Sequence, residues 1–208
     1  MQLSVSSAAS LRCFLAIAFL VQACVAVPAL KVDTTVGTVY GLINGTHPHV
    51  AQFLGIPYAE PPIGERRWTP SVVKSPVGDI DATSFSPSCP QYDTSIPSVY
   101  EIDAREFLIS GPTSEDCLTL SIWAPFTQNN FTEKLPVIVW IYGGGQLTGG
   151  AQIEYQIPTP WVERTQAHIV VQIKYVRPCG TSLILLIPLP AIGLTSSEIP
   201  LQLESTQS

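Results

Sequence analysis

The stretch "VIVWIYGGGQLTGG", residues 137–150, is an apolar run that ends abruptly in three glycines. Its first part contains no polar residue, which predicts a strand that is buried on both faces at the centre of a sheet. Glycines directly after such a strand indicate that something approaches the backbone too closely for side chains. The stretch alone leaves three candidates open: a phosphate, an oxyanion or another strand.

Composition narrows the class of protein. The chain has 208 residues, of which 46% are hydrophobic, and this is enough for one domain with a core of its own. The formal net charge is -6, and only 10 residues are Lys or Arg. Because the chain has few cationic side chains to neutralise a phosphate backbone, we expect no nucleic-acid partner.

The N-terminus is typical of a secretory signal. Arg12 precedes an apolar run over residues 13–21, and small residues then suit cleavage after Ala26 or Ala29. An uncleaved anchor or a buried helix is the alternative, but the run is shorter than the ~20 residues that a membrane span needs. We therefore expect residues 1–26 to be a signal peptide, the protein to be secreted, and no membrane span to remain after cleavage.

Two further features suit a secreted protein. Asn44 and Asn130 begin Asn-x-Thr sequons and are candidate glycosylation sites, although such triplets also arise by chance. After cleavage three cysteines remain, Cys89, Cys117 and Cys179, and pairing is expected in an oxidising compartment.

The order of apolar segments predicts an α/β fold. Residues 32–43, with breaks at Gly37 and Gly41, suit a short antiparallel ribbon, and residues 50–58 suit a further strand. "LTLSIWAP", residues 118–125, alternates apolar and polar residues and is expected to be half-buried. "HIVVQIKY", residues 168–175, is a second largely apolar run, and a short helix over 160–166 precedes it. A buried strand, a helix and another buried strand form one parallel crossover unit.

The glycines can be compared with known chemical motifs. A dinucleotide fingerprint needs G-x-G-x-x-G, and a Walker loop needs a Lys after its last glycine; the pattern of Gly143, Gly144, Gly145 and Gly149 fits neither. Three glycines after a central strand do fit the loop whose N–H groups stabilise the oxyanion in acyl transfer. A plain tight turn remains the alternative at this point.

Three longer motifs resemble one family. "FLGIPYAEPPIGERRWTP" (53–70), "SEDCLTLSIWAP" (114–125) and "LPVIVWIYGGGQLTGG" (135–150) occur in the order and approximate spacing of the carboxylesterase type B, or cholinesterase-like, family of α/β-hydrolases. The sequences of these motifs are most similar to those of fungal members of the family. The resemblance covers roughly residues 32–175. It implies the N-terminal part of the central sheet of an α/β-hydrolase fold, and a serine hydrolase that acts on carboxylic esters without a cofactor or a metal.

The resemblance also implies roles for residues around the glycines. Gly144 and Gly145 match the two glycines whose N–H groups line the oxyanion hole, and they are the catalytic residues that we expect in this chain. Tyr142 stands where related lipases often have His, and Gln146 stands where the family often has an aromatic residue.

Two structural pairs follow from the same resemblance. Cys89 and Cys117 match the family's first disulfide, with two free buried thiols as the alternative. Arg67 and Glu115 match an ion pair that ties the proline-rich loop to the segment carrying Cys117. If this pair is buried, it is expected to fix geometry more than to add net stability.

The chain contains no Gly-x-Ser-x-Gly, the motif that exposes a nucleophilic serine on a strained turn. The family's catalytic Ser, acid and His all come later than these residues. The three histidines, His47, His49 and His168, are expected to be structural. The sequence therefore predicts an ester-hydrolase fragment that is inactive by itself; the alternative is a non-catalytic, cholinesterase-like binding or adhesion module.

The sequence leaves the family pattern near residue 175. We expect residues 27–175 to be the N-terminal part of the carboxylesterase domain and residues 176–208 to be a divergent tail. The apolar part of the tail is interrupted by Pro188 and Pro190 and is too short for a membrane span. A retained intron or a frameshift explains this most simply, and a real divergent tail is the alternative.

Overall fold

The structure is a computed structural model that describes residues 30–91, 99–126, 134–144 and 148–176. Its strands are β1 Leu30–Thr34, β2 Gly37–Asn44, β3 His47–Pro57, β4 Ile80–Asp81, β5 Thr119–Pro125, β6 Val137–Trp140 and β7 Ile169–Ile173. Its α-helices are α1 Val99–Ile102 and α2 Thr159–Thr165, and short 3₁₀ turns span Gly64–Arg66, Arg105–Phe107 and Glu154–Gln156. The signal peptide and most of the tail expected from the sequence lie outside these residues.

The strands form one mixed sheet. Their order is β1-β2-β3-β5-β7-β6, with β4 added beside β2. The neighbouring strands from β1 to β7 are antiparallel, whereas β6 and β7 are parallel and are joined through α2. The predicted crossover of strand, helix and strand is therefore confirmed.

The predicted N-terminal ribbon is also confirmed. β1 and β2 pair antiparallel from Leu30 opposite Gly41 to Thr34 opposite Gly37. The Thr34 Oγ1 hydroxyl donates to the Gly37 carbonyl at 2.7 Å and closes the turn. Gly41, which the sequence indicates as a break, lies inside β2.

The expectation that β5 is half-buried is wrong, because all seven of its residues are buried. Leu120, Ile122 and Ala124 join the larger apolar cluster, and Trp123 joins a second one. The polar residues of β5 suggested that one face contacts solvent. They form hydrogen bonds inside the protein instead. For example, Ser121 Oγ accepts a hydrogen bond from the Gly55 N–H at 3.1 Å.

The expectation that β6 is a central strand buried on both faces is also wrong. Among the described strands β6 pairs only with β7 and lies at the end of the sheet. None of its residues is buried, and Val139 and Trp140 are each 44% exposed. A run without polar residues indicates a strand, but here it does not indicate a neighbour on each side.

Helix α2 covers the second apolar cluster. Pro160 lies in its first turn, where the missing N–H costs no helical hydrogen bond, and Gln166 ends it in the left-handed conformation. Val162 is fully buried with Val50 of β3, Trp123 of β5 and Val170 of β7. The helix thereby fixes the path between the carboxyl end of β6 and the start of β7.

Candidate functional site

Residues 143–150, called the glycine loop from here on, follow the carboxyl end of β6. Because β6 and β7 are parallel, the carboxyl end of β7 lies at the same edge of the sheet. Ligands of open α/β sheets bind at this edge. The structure describes Gly143, Gly144 and residues 148–150 of the loop, whereas Gly145, one of the two expected donors, lies outside the described residues.

The glycine loop folds against its own backbone. Gly144 has φ 142° and Gly149 has φ 129°, both in the region that favours glycine. A Cβ atom on Gly144 would lie 1.8 Å from the Thr148 carbonyl oxygen, and one on Gly149 would lie 2.3 Å from the Gly143 oxygen. The Thr148 N–H also donates to the Gly144 carbonyl at 3.1 Å. At these two positions the glycines are therefore required by the loop itself.

Gly143 differs from these two positions, because no atom lies within 4 Å of a Cβ added there. Gly143 and Gly144 are both exposed. Among the described residues, none accepts a hydrogen bond from the backbone N–H of either glycine. An exposed N–H group without a protein acceptor can donate to an oxygen that carries negative charge.

Two tyrosines hold the start of the loop. The rings of Tyr142 and Tyr175 stack with their centroids 4.5 Å apart. The Tyr142 hydroxyl donates to the Tyr175 carbonyl at 3.1 Å, and the Tyr175 hydroxyl donates to the Tyr142 carbonyl at 2.6 Å. Burial raises the pKa of Tyr142 to about 12, so this hydroxyl remains a donor at physiological pH.

Gln91 holds the other end of the loop. Its side-chain Nε2 donates to the Gly149 carbonyl at 3.0 Å, and its Oε1 accepts from the Gly149 N–H at 3.0 Å. Sequence reasoning missed this residue because it belongs to no motif. The available signal is its position two residues after Cys89, in the segment that the expected disulfide would tie down.

Lys174 is the one lysine among the described residues that is almost fully buried, with 1% of its surface exposed. Its Nζ donates to the carbonyl of Ser86, to the carbonyl of Pro87 at 3.1 Å and to Gln152 Oε1 at 2.8 Å. Burial lowers the pKa of Lys174 to about 8. Gln152 also donates to the Ser110 carbonyl. The Lys174 amine therefore connects the end of β7 with the segment before Cys89 and, through Gln152, with the segment before Cys117.

The sequence profile of the Carboxylesterase family matches residues 28–177. This chain belongs to the carboxylesterase family. The match includes both strands of the crossover, the glycine loop and the residues that hold its two ends.

Curated relatives agree with the family. The chain is 45% identical over 148 residues to a chlorogenic acid esterase of Aspergillus niger, covering 70% of this chain and 29% of the relative. It is 38% identical over 167 residues to secreted lipase 5 of Gibberella zeae, covering 71% of this chain and 30% of the relative. An acetylcholinesterase of Bungarus fasciatus is 40% identical over 152 residues, with coverage of 70% and 24%. The chain thus spans less than a third of the length of these relatives.

A solved structure shows the same fold. The chain superposes on a thermophilic PNB esterase with a TM-score of 0.60 at 28% sequence identity, covering 72% of this chain and 28% of the other. The mixed sheet is therefore part of an α/β-hydrolase fold, as the motifs indicated.

Two pairs expected of a carboxylesterase occur in the structure. Cys89 and Cys117 form a disulfide with their Cα atoms 5.1 Å apart. An Arg67 guanidinium nitrogen contacts a Glu115 carboxylate oxygen, but the two side chains are 56% and 41% exposed. Because the ion pair is exposed, it contributes only about 0–1 kcal/mol, and it does not have the buried setting in which it would fix geometry.

The two sequons differ in what the structure describes. Asn44 is exposed, and its Oδ1 accepts hydrogen bonds from both the N–H and the hydroxyl of Thr46 at 2.9 Å. This places the sequon at the turn between β2 and β3, where a glycan would have room. Asn130 lies outside the described residues.

The histidines have local partners. His49 Nδ1 lies 2.7 Å from Glu163 Oε1 and links β3 to α2. His47 lies beside the Thr46 hydroxyl, and His168 is buried against the ring of Trp161. Within the described ranges no group of three or more metal-binding side chains is found. No helix there is long and apolar enough to cross a membrane.

Proposed function

We propose that this chain carries the oxyanion-binding part of a secreted serine ester hydrolase. The observation that carries the proposal is Gly144, one of the two expected donors, which is exposed at the carboxyl end of β6 and whose N–H has no described acceptor. In this function a serine attacks the carbonyl carbon of a carboxylic ester, and the carbonyl oxygen becomes negatively charged. The N–H groups of Gly144 and Gly145 stabilise that oxygen, and removal of one such donor typically lowers the rate by about 10²–10³.

No Gly-x-Ser-x-Gly motif occurs among these 208 residues. Glycines four positions apart, as in Gly-x-Ser-x-Gly, occur at 37 and 41, 41 and 45, and 145 and 149, and the central residues are Val39, Ile43 and Leu147 rather than serine. We therefore propose that the 208 residues alone do not turn over esters. A non-catalytic binding or adhesion module is the alternative that the same absence supports.

The proposal includes secretion and processing. Residues 1–26 act as a signal peptide, residues 27–175 as the carboxylesterase part, and residues 176–208 as a divergent tail. The disulfide between Cys89 and Cys117 supports maturation in an oxidising compartment. Asn44 and Asn130 are the proposed glycan acceptors, and the name of secreted lipase 5 states an extracellular location for that relative.

The first experiment tests for a nucleophile. The purified 208-residue chain is incubated with p-nitrophenyl acetate, and separately with a fluorophosphonate that labels activated serines. We expect hydrolysis equal to that of the denatured chain and no labelled serine. Hydrolysis that is abolished by labelling of a single serine would show that the chain has a nucleophile of its own.

The second experiment tests the oxyanion role. Residues 176–208 are replaced by the corresponding continuation of the Aspergillus niger chlorogenic acid esterase, which supplies the missing strand and turn of the family. We expect the hybrid to hydrolyse carboxylic esters and Gly143→Ala to lower kcat strongly, because the new methyl group enters open space directly beside Gly144, a proposed oxyanion donor. Gly45→Ala is the matched control, since it also enters open space but lies in the β2–β3 turn. Equal activity of the two variants would contradict the oxyanion role.

A further inference from the structure

The amide of Gln91 and the backbone of Gly149 form a pair of opposed hydrogen bonds. Each group donates once and accepts once, and both distances are 3.0 Å. The side chain therefore pairs with Gly149 as a neighbouring strand would. Gln91 itself is only partly exposed, and Nε2 also lies 3.4 Å from the Cys89 carbonyl oxygen.

Gly149 contacts residues at the other end of the glycine loop, so its position determines theirs. Gly149 packs so closely on the Gly143 carbonyl and the Tyr142 ring that a Cβ atom would overlap both, at 2.3 Å and 2.7 Å. Its neighbour Thr148 donates to the Gly144 carbonyl. A shift of Gly149 therefore moves the peptide groups on which the exposed N–H donors lie.

The support for Gln91 comes from outside the sheet. Gln91 follows Cys89 by two residues, and Cys89 is tied to Cys117 just before β5. Lys174 at the end of β7 holds the same segment through Ser86 and Pro87. The amide of Gln91 is thus attached to the buried part of the sheet, whereas the glycine loop follows its exposed end strand.

We propose that Gln91 is a positioning residue for the glycine loop, whose proposed role is to stabilise an oxyanion. It fixes Gly149 through both backbone groups and thereby holds the Gly143 carbonyl and the proposed donor Gly144 in one arrangement. The inference deepens the proposed ester hydrolase function, on which the purpose of the loop rests. The two-bond clamp itself is tested without any activity.

The test compares two variants of the 208-residue chain by amide hydrogen exchange and mass spectrometry at low micromolar concentration. Gln91→Met keeps the length of the side chain and removes both hydrogen bonds. We expect exchange in the peptide spanning residues 142–152 to become roughly tenfold faster, the size expected for the loss of ordinary hydrogen bonds. Exchange in β5 and β7 stays within a factor of about two of the unaltered chain, because their ladders are untouched.

Gln91→Glu separates positioning from mere packing. Near neutral pH the carboxylate accepts from the Gly149 N–H but opposes the Gly149 carbonyl with a second oxygen, so protection is lost. At about pH 4, below the ordinary carboxyl pKa of ~4.3, the neutral acid can both donate and accept. Protection of the glycine loop, measured relative to the unaltered chain at the same pH, is then expected to return.

Gln166→Met is the matched control. Gln166 donates to carbonyls of His49, Val162 and Glu163 at the end of α2, so the variant loses hydrogen bonds without affecting Gly149. Exchange of the glycine loop is expected to remain unchanged. The proposal is overturned if Gln91→Met leaves loop exchange unchanged, if it accelerates exchange equally throughout the sheet, or if the Glu variant shows no return of protection at low pH.

Discussion

Strands β5 and β6 lie two positions apart in the same sheet, yet they have opposite environments. β5 contains Thr119 and Ser121 and is buried at every position, whereas β6 is entirely apolar and is buried at none. β5 has β3 on one side and β7 on the other, and apolar clusters cover both of its faces. β6 has β7 on one side and no described neighbour on the other. The difference shows that burial depends on what surrounds a strand more than on what it contains.

The largest expected effect on stability comes from replacing the tryptophan of each strand by alanine. Trp123 in β5 is fully buried, and Trp123→Ala is expected to lower the free energy of unfolding by about 3–5 kcal/mol. Trp140 in β6 is half exposed, and Trp140→Ala is expected to cost less than about 1 kcal/mol. Urea denaturation followed by circular dichroism measures both. Equal losses would mean that β6 is covered in solution.

The next effect concerns the link between the buried side and the glycine loop. Replacing Cys89 and Cys117 together by Ala opens a loop of 28 residues in the unfolded chain, which is expected to lower stability by ~3.6 kcal/mol from loop entropy. Cys179→Ala is the control and is expected to have little effect. If the double variant were as stable as the unaltered chain, the disulfide would not constrain unfolding.

A smaller effect follows from Lys174, the buried charge just beyond β7. Burial lowers the pKa of Lys174 from its ordinary value of 10.5 to about 8 in the folded chain, so between these values the unfolded chain binds more protons than the folded chain. Stability contributed by this residue therefore rises with pH, by about 2 kcal/mol from pH 7 to pH 9.5 by the linkage relation. Lys174→Met is expected to lack this rise.

The measurement for Lys174 is a pair of denaturation series across that range. The scan ends below pH 10 because burial raises the pKa of Tyr142 to about 12, and a raised tyrosine pKa lowers stability once the unfolded tyrosine ionises. Parallel curves for the two proteins would contradict the buried-charge explanation.

The smallest effect on stability is expected at the outer strand. Val139→Lys places a charge on an exposed residue of β6 and is expected to change stability by less than about 0.5 kcal/mol. Charges on an edge strand oppose pairing with other chains, so sedimentation velocity should show less self-association than for the unaltered chain. Val171 of β7 is fully buried, and Val171→Lys is the contrasting variant, which is expected to prevent folding.

The sequence predicted the order of the elements better than their environments. The ribbon of β1 and β2 and the crossover from β6 through α2 to β7 could be predicted, because turn glycines and apolar periodicity are local signals. The burial of β5 and β6 could not be predicted. Alternation in β5 suggested a solvent face, but Ser121 accepts from the Gly55 backbone and Thr119 bonds to Ser86. Such partners are distant in the chain and leave no local pattern.

The candidate site was predictable in part for a similar reason. Gly144 stands in a visible motif, since a glycine run after a strand is itself a signal. Gln91 and Lys174 act through single side chains that reach segments 58 and 22 or more positions away. Neither residue type indicates such a role, so only the folded geometry reveals them.

The paired tyrosines at the start of the glycine loop have a consequence for evolution. Each hydroxyl donates to the main-chain carbonyl of the other residue. A change of Tyr142 alone to Phe therefore leaves the Tyr175 carbonyl without its donor, whereas the Tyr142 carbonyl still accepts from the Tyr175 hydroxyl. Changing both tyrosines to Phe leaves both carbonyls without their hydroxyl donors, so the double change is expected to cost more than either single change. Among related sequences, positions 142 and 175 are therefore each expected to keep a side chain that can donate a hydrogen bond, because each serves a different backbone carbonyl.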